Sequence, residues 1–454
     1  MTGLPPSDAN LPSESARPRR EAGGDGLRPD PTTHVGGPRG EPAWPAAMGG
    51  PAGVEGQGLG RRRFVAAAVA GASLAAPRPL RTLMAADRPW IPDAAFLADL
   101  PRLMDMASVP GLAVSVVHDG AVHWTHAIGV TNATTGGAVT ADTVFPAASL
   151  GKPVFAAVVL GLARAGRLAL DRPLVEYVRP ADLPVDPRLD RITARHVLSH
   201  TTGLRNWRNR VDQPLAPDFD PGQRFQYSGE GFYWLQRVVE QVTGQAVDRV
   251  MHDRLFAPLG LARATYAWSR DHAEWTTFGH TNRGAVGTQF TRDLGAKLLP
   301  VAEKWAKPMR DWTVADTYRA VAEADSRLPQ LPNVMVPNVA GSLLCTAPEY
   351  GRFLAAVLGG RPPLSGADRD EMLTPRVTLK PSLSWGLGWG LERRPGGSLF
   401  WHWGDNGIFR AFTVGEVATG RALVIFTNAE SGPKVYQRLV RAATGLELDA
   451  LLWV

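Results

Sequence analysis

The sequence predicts an α/β (α+β) chain. An antiparallel sheet is built from both ends of the globular part and flanked by helices, with a mainly helical subdomain inserted between. Two observations predict it. Apolar strand-like runs stand near the front, at residues 112–117 and 121–127, and return at the back, at 399–403, 409–414 and 422–427. Between them, over about 166–339, the pattern is helices and loops. No internal repeat interrupts this plan. The 454 residues are 44% hydrophobic and 20% charged, enough to bury a large core. That excludes a wholly disordered chain, a coiled coil and a polytopic membrane protein. The single cysteine, Cys345, excludes an internal disulfide framework, a zinc ribbon and an iron–sulfur site.

Taken in order, residues 1–60 hold 13 Gly and 10 Pro without apolar periodicity, and a disordered extension is expected there. Arg61-Arg62-Arg63-Phe64 then leads an alanine-rich apolar run to Ala76. That run is too short to span a bilayer. Residues 61–86 therefore read as a twin-arginine-type signal peptide, and Met48 is the expected translation start. The expected location is exported, periplasmic or secreted, with no stable membrane span. The globular part is expected over 87–454. Asp119-Gly120 marks a hairpin turn between the first two runs, and His118, His123 and His126 flank it as structural residues. Residues 153–165 form a helical stretch closed by Gly166. Helical pieces follow at 301–305 and 315–324, and 434–443 closes the chain as a helix.

The formal charge is +6, but residues 1–86 alone hold ten Arg against seven acidic residues. There is no basic helix and no interleaving of aromatic and basic residues, so a nucleic-acid partner is not expected. Six lysines stand against 43 arginines, which makes each lysine worth inspecting. Lys152 lies in Ser149-Leu150-Gly151-Lys152, at the head of a helical stretch. Residues i and i+3 share a helix face, so the amine can reach the hydroxyl. Serine is a weak nucleophile until a neighbouring base takes its proton, and a desolvated lysine can do so. A helix N-terminus also favours a developing oxyanion. Ser431-Gly432-Pro433-Lys434 repeats the spacing, but Gly and Pro stand between the pair, and it reads as a decoy. Ala147-Ala148-Ser149-Leu150-Gly151 also reads as a variant nucleophile elbow of an α/β-hydrolase-type esterase, which would require a core strand before Ser149.

Two further segments carry chemistry. Tyr227 stands beside small residues in Tyr227-Ser228-Gly229, and next to an ammonium its phenol is a candidate base. In Trp401-His402-Trp403-Gly404-Asp405, glycine would let substrate lie along a strand edge and His402 could face the cleft. His196 and His200 have the i, i+4 spacing of a metal pair, but Val197 stands where a zinc protease has Glu, and both read as structural helix residues. No metal or cofactor is expected.

In this order the three segments resemble the serine β-lactamase and penicillin-binding superfamily. The likeness is to its class C β-lactamase, DD-peptidase, D-aminopeptidase and carboxylesterase branch. Ser149–Lys152 is similar to S-x-x-K, Tyr227-Ser228-Gly229 to Y-x-N with its third residue changed, and His402-Trp403-Gly404 to the H-x-G form of K-T-G. The segment from Ile192 to Leu204 resembles another stretch of that branch, as do Leu170-Asp171-Arg172-Pro173-Leu174, Pro258-Leu259-Gly260-Leu261 and Ala340-Gly341-Ser342-Leu343-Leu344. The likeness covers about 95–445, with residues 265–339 as an insertion. It implies a β-lactamase/transpeptidase-like fold and a serine hydrolase working through an acyl-enzyme on ester or amide bonds of a small molecule or peptide. Ser149, Lys152 and Tyr227 would be catalytic. The backbone N–H groups of Ser149 and Asp405 would form the oxyanion hole. His402, Trp403, Gly404 and Gly229 would meet substrate. Gly229 and Trp403 replace the family's Asn and Thr, so weak β-lactamase activity is expected. The alternative is a penicillin-recognising binding protein without turnover. The sequence carries no signal for an oligomeric state.

Overall fold

The structure is a computed structural model that describes residues 88–454; the extension at 1–60, the signal at 61–86 and the start at Met48 lie outside the described residues. Eleven strands are described: β1 (Gly111–His118), β2 (Ala121–Asn132), β3 (Gly136–Ala138), β4 (Phe145–Ala148), β5 (Leu343–Cys345), β6 (Val377–Thr378), β7 (Leu383–Trp385), β8 (Gly390–Arg394), β9 (Gly397–Asp405), β10 (Arg410–Glu416) and β11 (Arg421–Thr427). Nine form one sheet in the order β3-β2-β1-β11-β10-β9-β8-β7-β6. The front of the chain therefore meets the back at β1 and β11, antiparallel, with Leu112 opposite Thr427 and Val117 opposite Ala422. This is the two-ended sheet that the strand pattern predicts.

β1 is buried along its whole length. Its alternate residues enter two cores: Leu112, Val114 and Val116 one, Ala113 and Val117 the other. A strand covered on both faces reads as a continuous apolar run, as 112–117 does. On one face lie α1 (Ala94–Ala107), which buries Leu100, Met104 and Ala107, and the closing helix, which buries Val435, Tyr436, Leu439 and Val440. On the other face the helix Ala347–Gly359 packs directly on β1 and β11, and α2 (Gly151–Arg164), buried at all of residues 151–160, shares the core beneath it. Each of its Val, Leu and Phe side chains contributes about 1.5–3 kcal/mol by leaving water. α2 is thus held in place by burial on nearly every side.

β4 and β5 form a separate two-stranded pair, with most of the helical region between them in sequence. That region contains α3 (Ala194–Leu198), α4 (Gly229–Thr243), α5 (Phe290–Lys304) and α6 (Val314–Ala324). Its later part has a core of its own, where Trp268, Leu294, Leu298, Trp312 and Val321 meet Met335 and Val336. α5 starts well ahead of the expected piece at 301–305. Its first half is largely polar, and the buried stripe is Leu294, Gly295, Leu298, Val301 and Ala302. His200 also departs from expectation. α3 stops at Leu198, and His200 sits beyond it in the left-handed region at φ 55°.

Candidate active site

β4 delivers Ser149 to the start of α2. The turn is tight: Ala148 adopts φ 50°, a conformation that costs a non-glycine residue about 1–3 kcal/mol. Ser149 is half-exposed within a buried stretch. The main-chain carbonyls that follow it are pinned, since the Tyr350 hydroxyl donates to Leu150 O (3.1 Å) and that of Tyr266 to Gly151 O (2.6 Å). The expected elbow is not present. The strand before Ser149 has four residues, lies outside the main sheet and pairs only with β5.

One helical turn on, Lys152 Nζ is 2.9 Å from Ser149 Oγ and donates to Ala340 O at 2.7 Å. Nζ also lies 4.7 Å from the centre of the Tyr227 ring. Lys152 is 1% exposed and forms none of the ion pairs among the described residues. Burial therefore pushes its amine well below the usual lysine range, which favours the neutral base. The Ala340 carbonyl is fixed by a buried turn. Asn338 Oδ1 accepts from Ala340 N–H (2.8 Å), Asn338 Nδ2 donates to Pro332 O (2.7 Å), and Gln236 Oε1 accepts from Val339 N–H (3.0 Å).

Tyr227 comes from the loop before α4. Its hydroxyl is buried with no hydrogen-bond partner among the described residues. Burial pushes the phenol up, against the pull of the Ser149 hydroxyl. The ring is stacked on His200 at 4.1 Å and 26°. His200 Nδ1 accepts from Ser228 N–H (3.0 Å), which places its own proton on Nε2. His196 closes a capping box with Thr193 instead. The two histidines thus have separate structural duties.

β9 supplies the far wall. Asn406 N–H donates to Phe409 O (3.1 Å), so strand alternation turns Asp405 N–H the other way. That way lies the edge of β9 left open beyond Trp401, where its pairing with β8 ends. Ser149 and Asp405 line one cavity of about 220 Å³. The Asp405 carboxylate pairs with Arg410 and accepts from Gly407 N–H (2.8 Å).

The four expected substrate residues do not line that cavity. His402 is fully buried behind Tyr227, their ring centres 6.3 Å apart. Its Nδ1–H donates to Trp403 O (2.7 Å), and burial, then the Lys152 charge, hold its pKa down to about 3. Trp403 packs on Tyr227 (4.9 Å) and Trp453 (5.5 Å), in an aromatic cluster rather than at the cleft. Gly404 makes room for β4, because a Cβ there would stand 2.5 Å from Ala147 O. Gly229 is covered by Trp207, whose ring atoms lie 2.2–2.7 Å from where a Cβ would be.

The cavity is lined instead by Asn206, Trp207 and Asn406 on one side and by Phe290, Asn333 and Met335 of the insertion on the other. Sequence reasoning missed these, since nothing in 207 or 290 marks them as neighbours of Ser149. The insertion also grips the turn after Asp405. Ile408 lies against Gly279 and Gly287, where a Cβ would stand 2.5 Å and 2.9 Å from its side chain. Gln289 ties that hairpin together through Gly279 N–H (2.9 Å), Gly279 O (2.8 Å) and Gly287 O (2.8 Å). The decoy pair lies elsewhere: Ser431 donates to Ser108 O (3.2 Å), and Lys434 is exposed.

The family model described as Beta-lactamase matches residues 97–445. The chain belongs to the β-lactamase family. Penicillin-binding protein 4 of Amycolatopsis lactamdurans is 38% identical over 168 residues, covering 34% of this chain and 44% of that protein. Esterase EstB of Burkholderia gladioli is 30% identical over 205 residues, covering 37% and 51%. The chain thus spans about half the length of these curated relatives. The fold is that of the β-lactamase family throughout: a solved class C β-lactamase superposes with a TM-score of 0.59 at 17% identity, over 78% of this chain and 96% of that one.

Proposed function

We propose that this member of the β-lactamase family is a serine hydrolase that cleaves ester or amide bonds through an acyl-enzyme on Ser149, with weak activity on β-lactams. The observation that carries the reading is the buried Lys152 amine at 2.9 Å from Ser149 Oγ. A neutral amine there takes the serine proton as Oγ attacks the carbonyl carbon. The N–H groups of Ser149 and Asp405 receive the negative charge that develops on the carbonyl oxygen. The proton held by Lys152 then passes by way of the Tyr227 hydroxyl to the leaving alcohol or amine, which returns both groups to their starting state. Water then attacks the acyl-enzyme, giving its proton back through the same groups and freeing Ser149. Of the side chains lining the cavity only Asp405 is charged, and it is negative. The carboxylate of a β-lactam or of a D-Ala-terminated peptide meets no cation there. A missing bond to a charged group costs about 1.5–3 kcal/mol, roughly 10- to 150-fold in rate. The esterase among the relatives supports the same direction.

An active-site serine probe followed by mass spectrometry tests the assignment. Ser149 should carry the adduct, and Ser149→Ala should abolish both labelling and turnover. Adduct on Ser431, or activity surviving in Ser149→Ala, overturns it. The ester kcat/KM should exceed that for a chromogenic cephalosporin. A single burst of product with no steady state would mark a penicillin-recognising binding protein instead.

A further inference from the structure

We infer that the insertion makes the cavity beside Ser149 a receptor for an uncharged, ring-sized side group on the bond being cleaved, and that Phe290 and Trp207 determine this preference. The inference rests on the hydrolase reading and names its substrate class. Four observations support it.

The first is chemistry. Phe290, Val334, Met335 and Val336 of the insertion and Trp207 share the lining with uncharged polar side chains, Asn206, Asn333 and Asn406 among them. Phe290 is 45% exposed although it begins a helix with a buried apolar stripe, so its ring is turned to the cleft and not to the core. The second is size. The 220 Å³ here accommodates one ring with a short linker. The third is charge. No lysine or arginine lines the cavity, and Asp405, its one charged lining residue, is already neutralised by Arg410. An anionic group entering here would lose its hydration and gain no partner. The fourth is rigidity. Met335 and Val336 belong to the insertion's own core, and Gln289, the residue before Phe290, is held by three hydrogen bonds to Gly279 and Gly287. Trp207 is pressed onto Gly229, at the N-terminus of α4. Walls held in this way select by shape.

Ester turnover and Ser149 labelling by fluorophosphonates test the inference separately. The esters carry a ring on either the acyl or the alcohol side, or a methyl in its place, or a carboxylated ring. The fluorophosphonates carry phenyl, methyl or carboxyphenyl. Neutral ring-bearing compounds should react at least about 10-fold faster than both alternatives, since a single methylene in an apolar pocket is worth roughly 10–200-fold. Phe290→Ala and Trp207→Ala should each reduce the ratio by about 10-fold. Val185→Ser, on a fully exposed side chain far along the chain, should leave it unchanged. Phe290 is partly exposed, so its loss leaves folding intact, which a thermal melt checks. Equal rates for ring and methyl compounds, on both acyl and alcohol arms, overturn the inference while the hydrolase reading stands. Faster reaction of the carboxylated ring does the same. Labelling and turnover absent with every compound sink the hydrolase reading and this inference together.

Discussion

A lysine without a carboxylate partner, buried against tyrosine and phenylalanine rings, loses its proton more readily than one in water. The folded-state pKa of Lys152 is lowered, so the neutral base is present above that lowered value and disappears as pH falls through it. The kcat/KM of ester hydrolysis should therefore rise with pH along a limb whose midpoint lies well below 10.5. Lys152→Arg keeps a cation that cannot give up its proton. It should slow hydrolysis roughly 10²–10⁴-fold and remove that limb. An unaltered limb in the variant would assign it to another group. A second consequence at this scale concerns Gly229. Read as a missing asparagine, it invites Gly229→Asn as a route to β-lactam recognition. The structure reverses this expectation, because the Trp207 ring already fills the space. Gly229→Asn should lower stability by about 1–3 kcal/mol through overpacking. Adding Trp207→Ser should restore the melting temperature; a double variant as unstable as the single one would refute the clash. Sequence showed the glycine but could not show Trp207, because the two meet only through the fold.

The legible elements were those whose burial follows a simple period. β1, β9, β10 and β11 carry mainly apolar runs because both faces of the sheet are covered, and α2 does because it is buried on nearly every side. α5 was only half visible, since its polar first turn faces the cleft and the solvent. His200 was placed in a helix by its spacing from His196, yet the helix ends first and the residue turns left-handed to reach Tyr227. The join between α4 and α6 was invisible as well. There the buried Glu240 accepts from Val314 N–H (2.9 Å) and from Gln236 Nε2 (3.3 Å). Burial pushes this carboxyl up from 4.5 to about 7. The protonated form is thus the one the fold prefers. Its contribution is fully present below about pH 4.5 and is lost as pH rises through about 7. Melting temperatures of the wild type and Glu240→Gln, taken from pH 4 to pH 8, should diverge across that window with the wild type falling behind. A constant gap would show that Glu240 does not titrate there.

For the whole molecule, the family's fold is readable from three ordered motifs and from strands at both ends, whereas the cleft walls are not, because they combine the insertion with Asn206, Trp207 and Asn406, segments that meet only in the fold. The N-terminal 86 residues lie outside the described structure apart from their sequence. We propose that residues 61–86 export the folded domain by the twin-arginine route. Arg61→Lys with Arg62→Lys should leave precursor in the cytoplasm, detected by fractionation and blotting; normal export of the double variant would refute the route. Deleting residues 1–47 should change neither melting temperature nor ester turnover, since that block has no apolar periodicity from which to build a core.

The grip of Gly279 and Gly287 on Ile408 bears on how this protein can be redesigned. A designer seeking a roomier entrance would first think of trimming the insertion. The same cut would remove the jaws that hold the turn after β9, and with them the aim of the Asp405 N–H. On the proposed hydrolase reading, breadth of substrate and the capacity to stabilise an oxyanion are therefore tied in one mechanical part. Successful loop grafts onto this scaffold will be those that carry the two glycines, or an equivalent brace for Ile408, along with the new wall.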